Sequence, residues 1–188
     1  FISILLGWEV PLLPIQLLWL NLVTDSFPAL ALGVEPAEPN IMNQKPRDTK
    51  EGILHKGMYG GIIFQAIAIA GACLLAYYLG VQKYGLTNGL EKIRTIVFTT
   101  MITAELLRAF SSRSEDYTLF KIGFFSNKAM NKAVLVSFAL TLVVLYIPIL
   151  NGVFHTVPLS LADWQNVLLL SFIPLVMGEL YKKFFKNK

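Results

Sequence analysis

From Met58 to Val81 the chain carries no charged residue, and an uncharged stretch of that length has few folded solutions. About 20 consecutive apolar residues, coiled as a helix, match the hydrocarbon thickness of a bilayer. In lipid only a helix or a closed barrel satisfies its own backbone groups. Ala133 to Leu150 is also uncharged, and Leu12–Gly33, Ile93–Phe110 and Trp164–Tyr181 are apolar with few charges. These runs predict an all-α, polytopic transmembrane helical bundle with five full spans, plus the end of a sixth at Phe1–Leu6. Apolar residues make up 55% of the chain and charged residues 15%, and the mean hydropathy is +0.59. That composition excludes an ordinary soluble domain. We expect no signal peptide, because FISILL has neither a basic region before it nor a cleavage site after it, and we expect the first helix to be cut. Cys73 is the single cysteine, so no internal disulfide forms, and inside an apolar run it reads as a small core residue.

Basic residues predict the orientation. Lys45, Arg47, Lys50 and Lys56 fall in the connection 34–56, and Arg113, Lys121, Lys128 and Lys132 in 111–132. Lys182, Lys183, Lys186 and Lys188 form the tail. The alternate connections hold only Lys83, Lys92 and Arg94. Loops 34–56 and 111–132 and the C-terminus are therefore expected in the cytoplasm. The net charge of +4 follows from this topology, and no nucleic acid is implied. Gly57 with Gly61 and Ala66 with Ala70 are spaced for close helix approach. Trp8, Tyr84, Trp164 and Tyr181 suit an interfacial belt, with the lipid bilayer as their partner.

The unusual polar residues lie in LLWLNLVTDSFPALALG, residues 17–33. Asn21, Thr24 and Asp25 have i, i+3, i+4 spacing and share one helical face. A carboxylate at mid-span costs about 2.5–3.5 kcal/mol on insertion scales. A hard cation that accepts carboxylate, amide and hydroxyl oxygens offsets that cost. Pro28 cannot donate to the carbonyl of Thr24, which leaves a further oxygen beside the side chains. The alternative is a polar helix–helix contact at a proline kink. Glu105 is the second acid within a span, and Thr24, Asp25 and Glu105 together would contribute to a calcium shell of 6–8 oxygens. Arg108 follows one turn later. It either leaves Glu105 as a ligand or pairs with it, and we expect the pair, because an always-charged guanidinium competes with a cation for the carboxylate. Pairing would leave Asp25 as the one carboxylate free for a cation, enough for a single calcium. Glu179 beside Lys182 and Lys183 reads as a snorkelling surface pair. His55 and His155 fall on opposite sides. With no phosphate loop and no nucleophile beside a base, this chain alone is expected to catalyse nothing.

PIQLLWLNLVTDSFPALALGVEP followed by IMNQKPR resembles the sixth transmembrane helix and following loop of type II P-type cation ATPases, the calcium pumps above all. TAELLRAF is similar to their eighth helix, and the resemblance runs from the end of the fifth helix through the tenth. It implies that Asn21, Thr24, Asp25 and Glu105 are cation ligands, and that Ca²⁺ is the transported ion. It implies that Mg²⁺ and ATP belong to cytoplasmic domains outside this chain. The implied partners are the transported cation, the pump's remaining transmembrane helices and its phosphorylation domain, which the loop 34–56 would touch. Ser26 stands where family members commonly have glycine, so unwinding would rest more on Pro28. The implied setting is a membrane, and a bacterial plasma membrane is expected. A manganese pump, a secondary transporter or channel with a broken-helix site, and a structural subunit are the competing readings.

Overall fold

The computed structural model describes residues 2–38, 41–43 and 56–186. A short helix α1 (Ile2–Leu5) ends at Gly7, whose φ of 69° suits a residue without Cβ. Pro14 then opens α2 (Pro14–Trp19), which runs through a π-helical segment (Leu20–Asp25) into α3 (Ser26–Leu32). A single 3₁₀ turn covers Ile41–Asn43. The long helices α4 (Lys56–Tyr84) and α5 (Leu86–Ser111) follow, then the short α6 (Leu119–Ile122) and α7 (Lys128–Tyr146). The chain closes with α8 (Pro148–Phe154), α9 (Leu161–Tyr181) and a π turn at Lys182–Lys186. Among the described residues every regular element is helical, as expected. Most of the loop 34–56, with the motif around Lys45 and with His55, lies outside the described residues.

Four helical stretches are long and apolar enough to cross a membrane: Pro14–Leu32, Met58–Tyr84, Lys128–Tyr146 and Leu161–Phe185. The helix α5 is as long but carries Glu91, Lys92, Arg94, Glu105 and Arg108. Its position explains why it tolerates them. It packs against α4, α9, α7 and the π segment, so much of its side-chain surface meets protein and need not be apolar. Ile93, Phe98, Ile102 and Ala104 are completely buried. Thr95, Thr99 and Thr103 donate to carbonyls four residues back at 2.8 Å, which satisfies each hydroxyl inside the helix.

Three expectations shift by a residue or a turn. The close-approach stripe of α4 is Ala68, Ala72 and Ala76, each at most 4% exposed, whereas Ala66 faces outward. Gly61 does serve contact: a Cβ there would meet the Tyr181 ring at 3.4 Å. The uncharged run 133–150 is broken rather than continuous, because α7 stops at Tyr146 and Pro148 starts α8. Proline drives the residue before it out of the α region, and Ile147 has φ −88° and ψ 118°. The aromatic residues proposed for an interfacial belt make protein contacts: Trp8 stacks on Tyr77 at 5.0 Å, and Trp164 donates to the Tyr146 hydroxyl at 2.7 Å.

Candidate cation site

Asn21, Thr24 and Asp25 fall inside the π-helical segment that separates α2 from α3. A π turn pairs i with i+5, widens the helix and recurs at functional positions. Pro28, buried at the start of α3, brings no N–H to the turn before it, so the carbonyls there need other donors. Ser137 of α7 supplies one, its hydroxyl donating to the Val23 carbonyl at 3.0 Å in a buried setting. The Ser26 hydroxyl makes a long contact of 3.5 Å to the Asn21 carbonyl. Below the π segment Gln16, fully buried, donates to the Phe154 carbonyl at 3.0 Å and fixes α2 against α8.

Thr24 is 3% exposed, and its Oγ1 has no hydrogen-bond partner. A buried hydroxyl without a partner costs about 1–3 kcal/mol. Asn21 and Asp25 lie on the open side of the described residues. Glu105 is half-buried on α5, which packs against the π segment. Among the described residues no ion pair reaches either carboxylate. No group of three His, Cys, Asp or Glu side chains able to hold a metal ion occurs among them either. Asn21 and Asp25 are thus exposed, Thr24 is buried and Glu105 is half-buried on the neighbouring α5.

The expected Glu105–Arg108 pair does not form. Ion pairs among the described residues join Asp163 to Lys83 and Lys92, Glu35 to Arg113 and Glu179 to Lys182. The Nε of Arg108 is buried without a partner, and its side chain lines a cavity between α4, α5 and α9. One turn of separation brings the two residues to the same helix flank, yet no ion pair joins them.

Two anchors hold the helices around the site, and both escaped the sequence reading. Arg113, 6% exposed, clasps Glu35 through Nε at 2.9 Å and Nη2 at 2.7 Å, and its Nη1 donates to the Gly123 carbonyl at 2.9 Å. Asn127 donates to the same carboxylate at 2.6 Å and to the Ala31 carbonyl at 3.0 Å, while capping α7 through Met130 N–H at 2.9 Å. Burial works against the Glu35 carboxylate, but the hydrogen bonds from Arg113 and Asn127 and the Arg113 charge outweigh it and hold its pKa below the usual value. The second anchor corrects the reading of Glu179. It is no surface pair: it accepts from the Ser111 hydroxyl and from Leu119 N–H, both at 2.6 Å, and Lys182 is only 6% exposed. At the opposite end of the bundle, fully buried Asp163 gathers Lys83 at 2.9 Å, Lys92 at 3.1 Å and the Tyr84 hydroxyl at 2.5 Å. The signal for these anchors was a charged residue beside a helix boundary, but nothing local names its distant partner.

A helical bundle with four helices long and apolar enough to cross a membrane defines a class, and comparison with known proteins agrees. Residues 9–184 match the family described as cation transporting ATPase, C-terminus, and the chain belongs to that family. It is 38% identical to "Calcium-transporting ATPase 1" of Bacillus cereus over all of this chain and 22% of that protein. It is 38% identical to "Calcium-transporting ATPase" of Bacillus subtilis, covering 95% of the chain and 20% of the relative. With "Calcium-transporting ATPase type 2C member 1" of Pongo abelii it shares 33% identity over 97% of the chain and 20% of the relative. The chain thus spans about a fifth of the length of these curated relatives.

Proposed function

We propose that this chain is the ion-translocating membrane domain of an ATP-driven calcium pump, with α5 as a fifth crossing helix and α1 as the end of a sixth. In this reading Asn21, Thr24, Asp25 and Glu105 supply part of the intramembrane cation site. The ion is cargo, and the remaining ligands come from other transmembrane helices of the same pump. Mg²⁺ and ATP act in its cytoplasmic domains, and this piece performs no chemistry alone. The tail and the loops 34–56 and 111–132 face the cytoplasm, the loop 34–56 against the phosphorylation domain, in a bacterial plasma membrane.

The observation that carries the proposal is the π segment with the buried, unpartnered Thr24 hydroxyl beside Asp25. A polar helix–helix contact would have satisfied that hydroxyl. Family membership also leaves the secondary-transporter and structural-subunit readings without support. A pump for manganese or another cation stays as the second reading, because an oxygen shell accepts more than one divalent ion. The test is Asp25→Asn in the full-length protein. Calcium-dependent phosphorylation from ATP should be lost, since the amide keeps the shape and removes the charge. Phosphorylation from inorganic phosphate, which proceeds with the transport site empty, should persist. A calcium response equal to wild type would remove Asp25 from the site, and a response to manganese alone would favour the second reading.

A further inference from the structure

Arg113 follows the end of α5, and its side chain is fully enclosed. Every nitrogen of its guanidinium has a partner. Nε and Nη2 form a fork on the Glu35 carboxylate at 2.9 and 2.7 Å. Nη1 donates to the carbonyls of Gly123 at 2.9 Å and Phe124 at 3.3 Å, and Nη2 also donates to the Ser126 hydroxyl. Gly123, with φ 89°, makes the turn that presents both carbonyls to one cation, a conformation that suits a residue without Cβ. One side chain therefore joins the segment after α3, the segment after α5 and the turn before α7.

This junction is close to the candidate cation residues along α3. Asn127 donates to Glu35 at 2.6 Å and to the Ala31 carbonyl at 3.0 Å, so the same cluster grips α3 itself. Ala31 stands six residues beyond Asp25, which at 1.5 Å per residue is about 9 Å of helix. With only seven residues and no side-chain cap at its start, α3 carries a shift at its end directly to the π segment. A buried ion pair adds little net stability over apolar packing of the same volume. What the fork adds is direction, because two parallel bonds fix both the place and the orientation of the carboxylate. A lysine ammonium, a point charge, has no such fork.

We propose that Arg113 is a positioning residue for the cation site: acting through Glu35, it sets where α3 stands and hence where Thr24 and Asp25 present their oxygens. The proposal rests on the transport reading above, and its test separates the two. In the full-length protein, phosphorylation from ATP is titrated with calcium, and thermal unfolding is followed on the same samples. Arg113→Gln should raise the calcium concentration for half-maximal phosphorylation about tenfold, as loss of a charge-assisted hydrogen bond implies, with the maximal level retained. Arg113→Lys should do nearly the same, because it keeps the charge and loses the fork. Glu35→Gln should match them, and the double variant Glu35→Gln with Arg113→Gln should shift no further than either change alone. If Arg113→Gln does not fold, Arg113→Lys and Glu35→Gln carry the same comparison. Half-saturation at the wild-type calcium concentration in these variants, with only the unfolding midpoint lowered, would reduce Arg113 to a structural support and overturn the proposal. Additive shifts in the double variant would also overturn it, since Arg113 would then act by a route other than Glu35. A wild type without any calcium response would remove the transport reading and this proposal together, whereas a responsive wild type with unshifted variants removes the proposal alone.

Discussion

Arg108 stands one turn beyond Glu105, and the direction of its side chain decides what Glu105 can do. With no ion pair between Arg108 and Glu105, the carboxylate stays available to a cation, and the argument for a single calcium loses its basis. Removing one member of a buried pair would cost about 3–5 kcal/mol. We therefore predict that Glu105→Gln and Arg108→Ala each leave the full-length protein folded, and that the double change rescues nothing. Glu105→Gln should weaken calcium affinity, whereas Arg108→Ala should raise it, because it removes a positive charge one turn along the helix from Glu105. Thermal unfolding and calcium titration of the three variants check this. Recovery of stability in the double variant would restore the pair. Residues of this kind were half legible. The helical spacing of Asn21, Thr24 and Asp25 placed them on one segment, and the structure puts all three inside the π turn, with Thr24 buried and the other two exposed. Glu179 was misread because its partners Ser111 and Leu119 lie 68 and 60 residues away in sequence.

At the scale of elements, the helix that carries the candidate site is held at both ends and loosened in the middle. Gln16 ties its start to α8, and Glu35 ties its end to Arg113 and Asn127. Between them the π segment and Pro28 leave carbonyls that the helix cannot satisfy by itself. Ser137 is the outside donor that stabilises this break. Ser137→Ala leaves the Val23 carbonyl buried without that donor and should destabilise the protein by about 1–3 kcal/mol. It should also weaken calcium binding, because the backbone beside Thr24 is free to shift. Heat denaturation followed by calcium titration tests both parts, and an unchanged midpoint would show that Ser137 bears no load. Pro28 in the sequence forecast a disrupted helix. It did not forecast the π register, which depends on where α7 places a hydroxyl.

Across the whole molecule, the two anchors at Glu35–Arg113 and Glu179–Leu119 draw the segments following α3 and α5 and the end of α9 to one end of the bundle, while Asp163 closes the other. Among the described residues, Arg113 and Lys182 sit at the first end and Lys83 and Lys92 at the second, the alternation that the sequence pattern of basic residues predicts for these four. Hydropathy placed a span at Ile93–Phe110 but not the reason α5 tolerates its charges, which is burial against its neighbours, a tertiary property. A cysteine placed at Asn151, in α8, should react with an impermeant reagent added outside, and one at Asn40 should not. The reverse pattern would invert the proposed orientation. The account as a whole rests on the oxygens of the π segment binding the transported ion. Equilibrium binding of radiolabelled calcium to the full-length protein, wild type against Asp25→Asn, tests that most directly. We predict saturable binding in wild type and at least about a hundredfold weaker binding in the variant, as loss of a charged ligand worth about 3 kcal/mol implies. Binding of the variant with wild-type affinity would contradict the account.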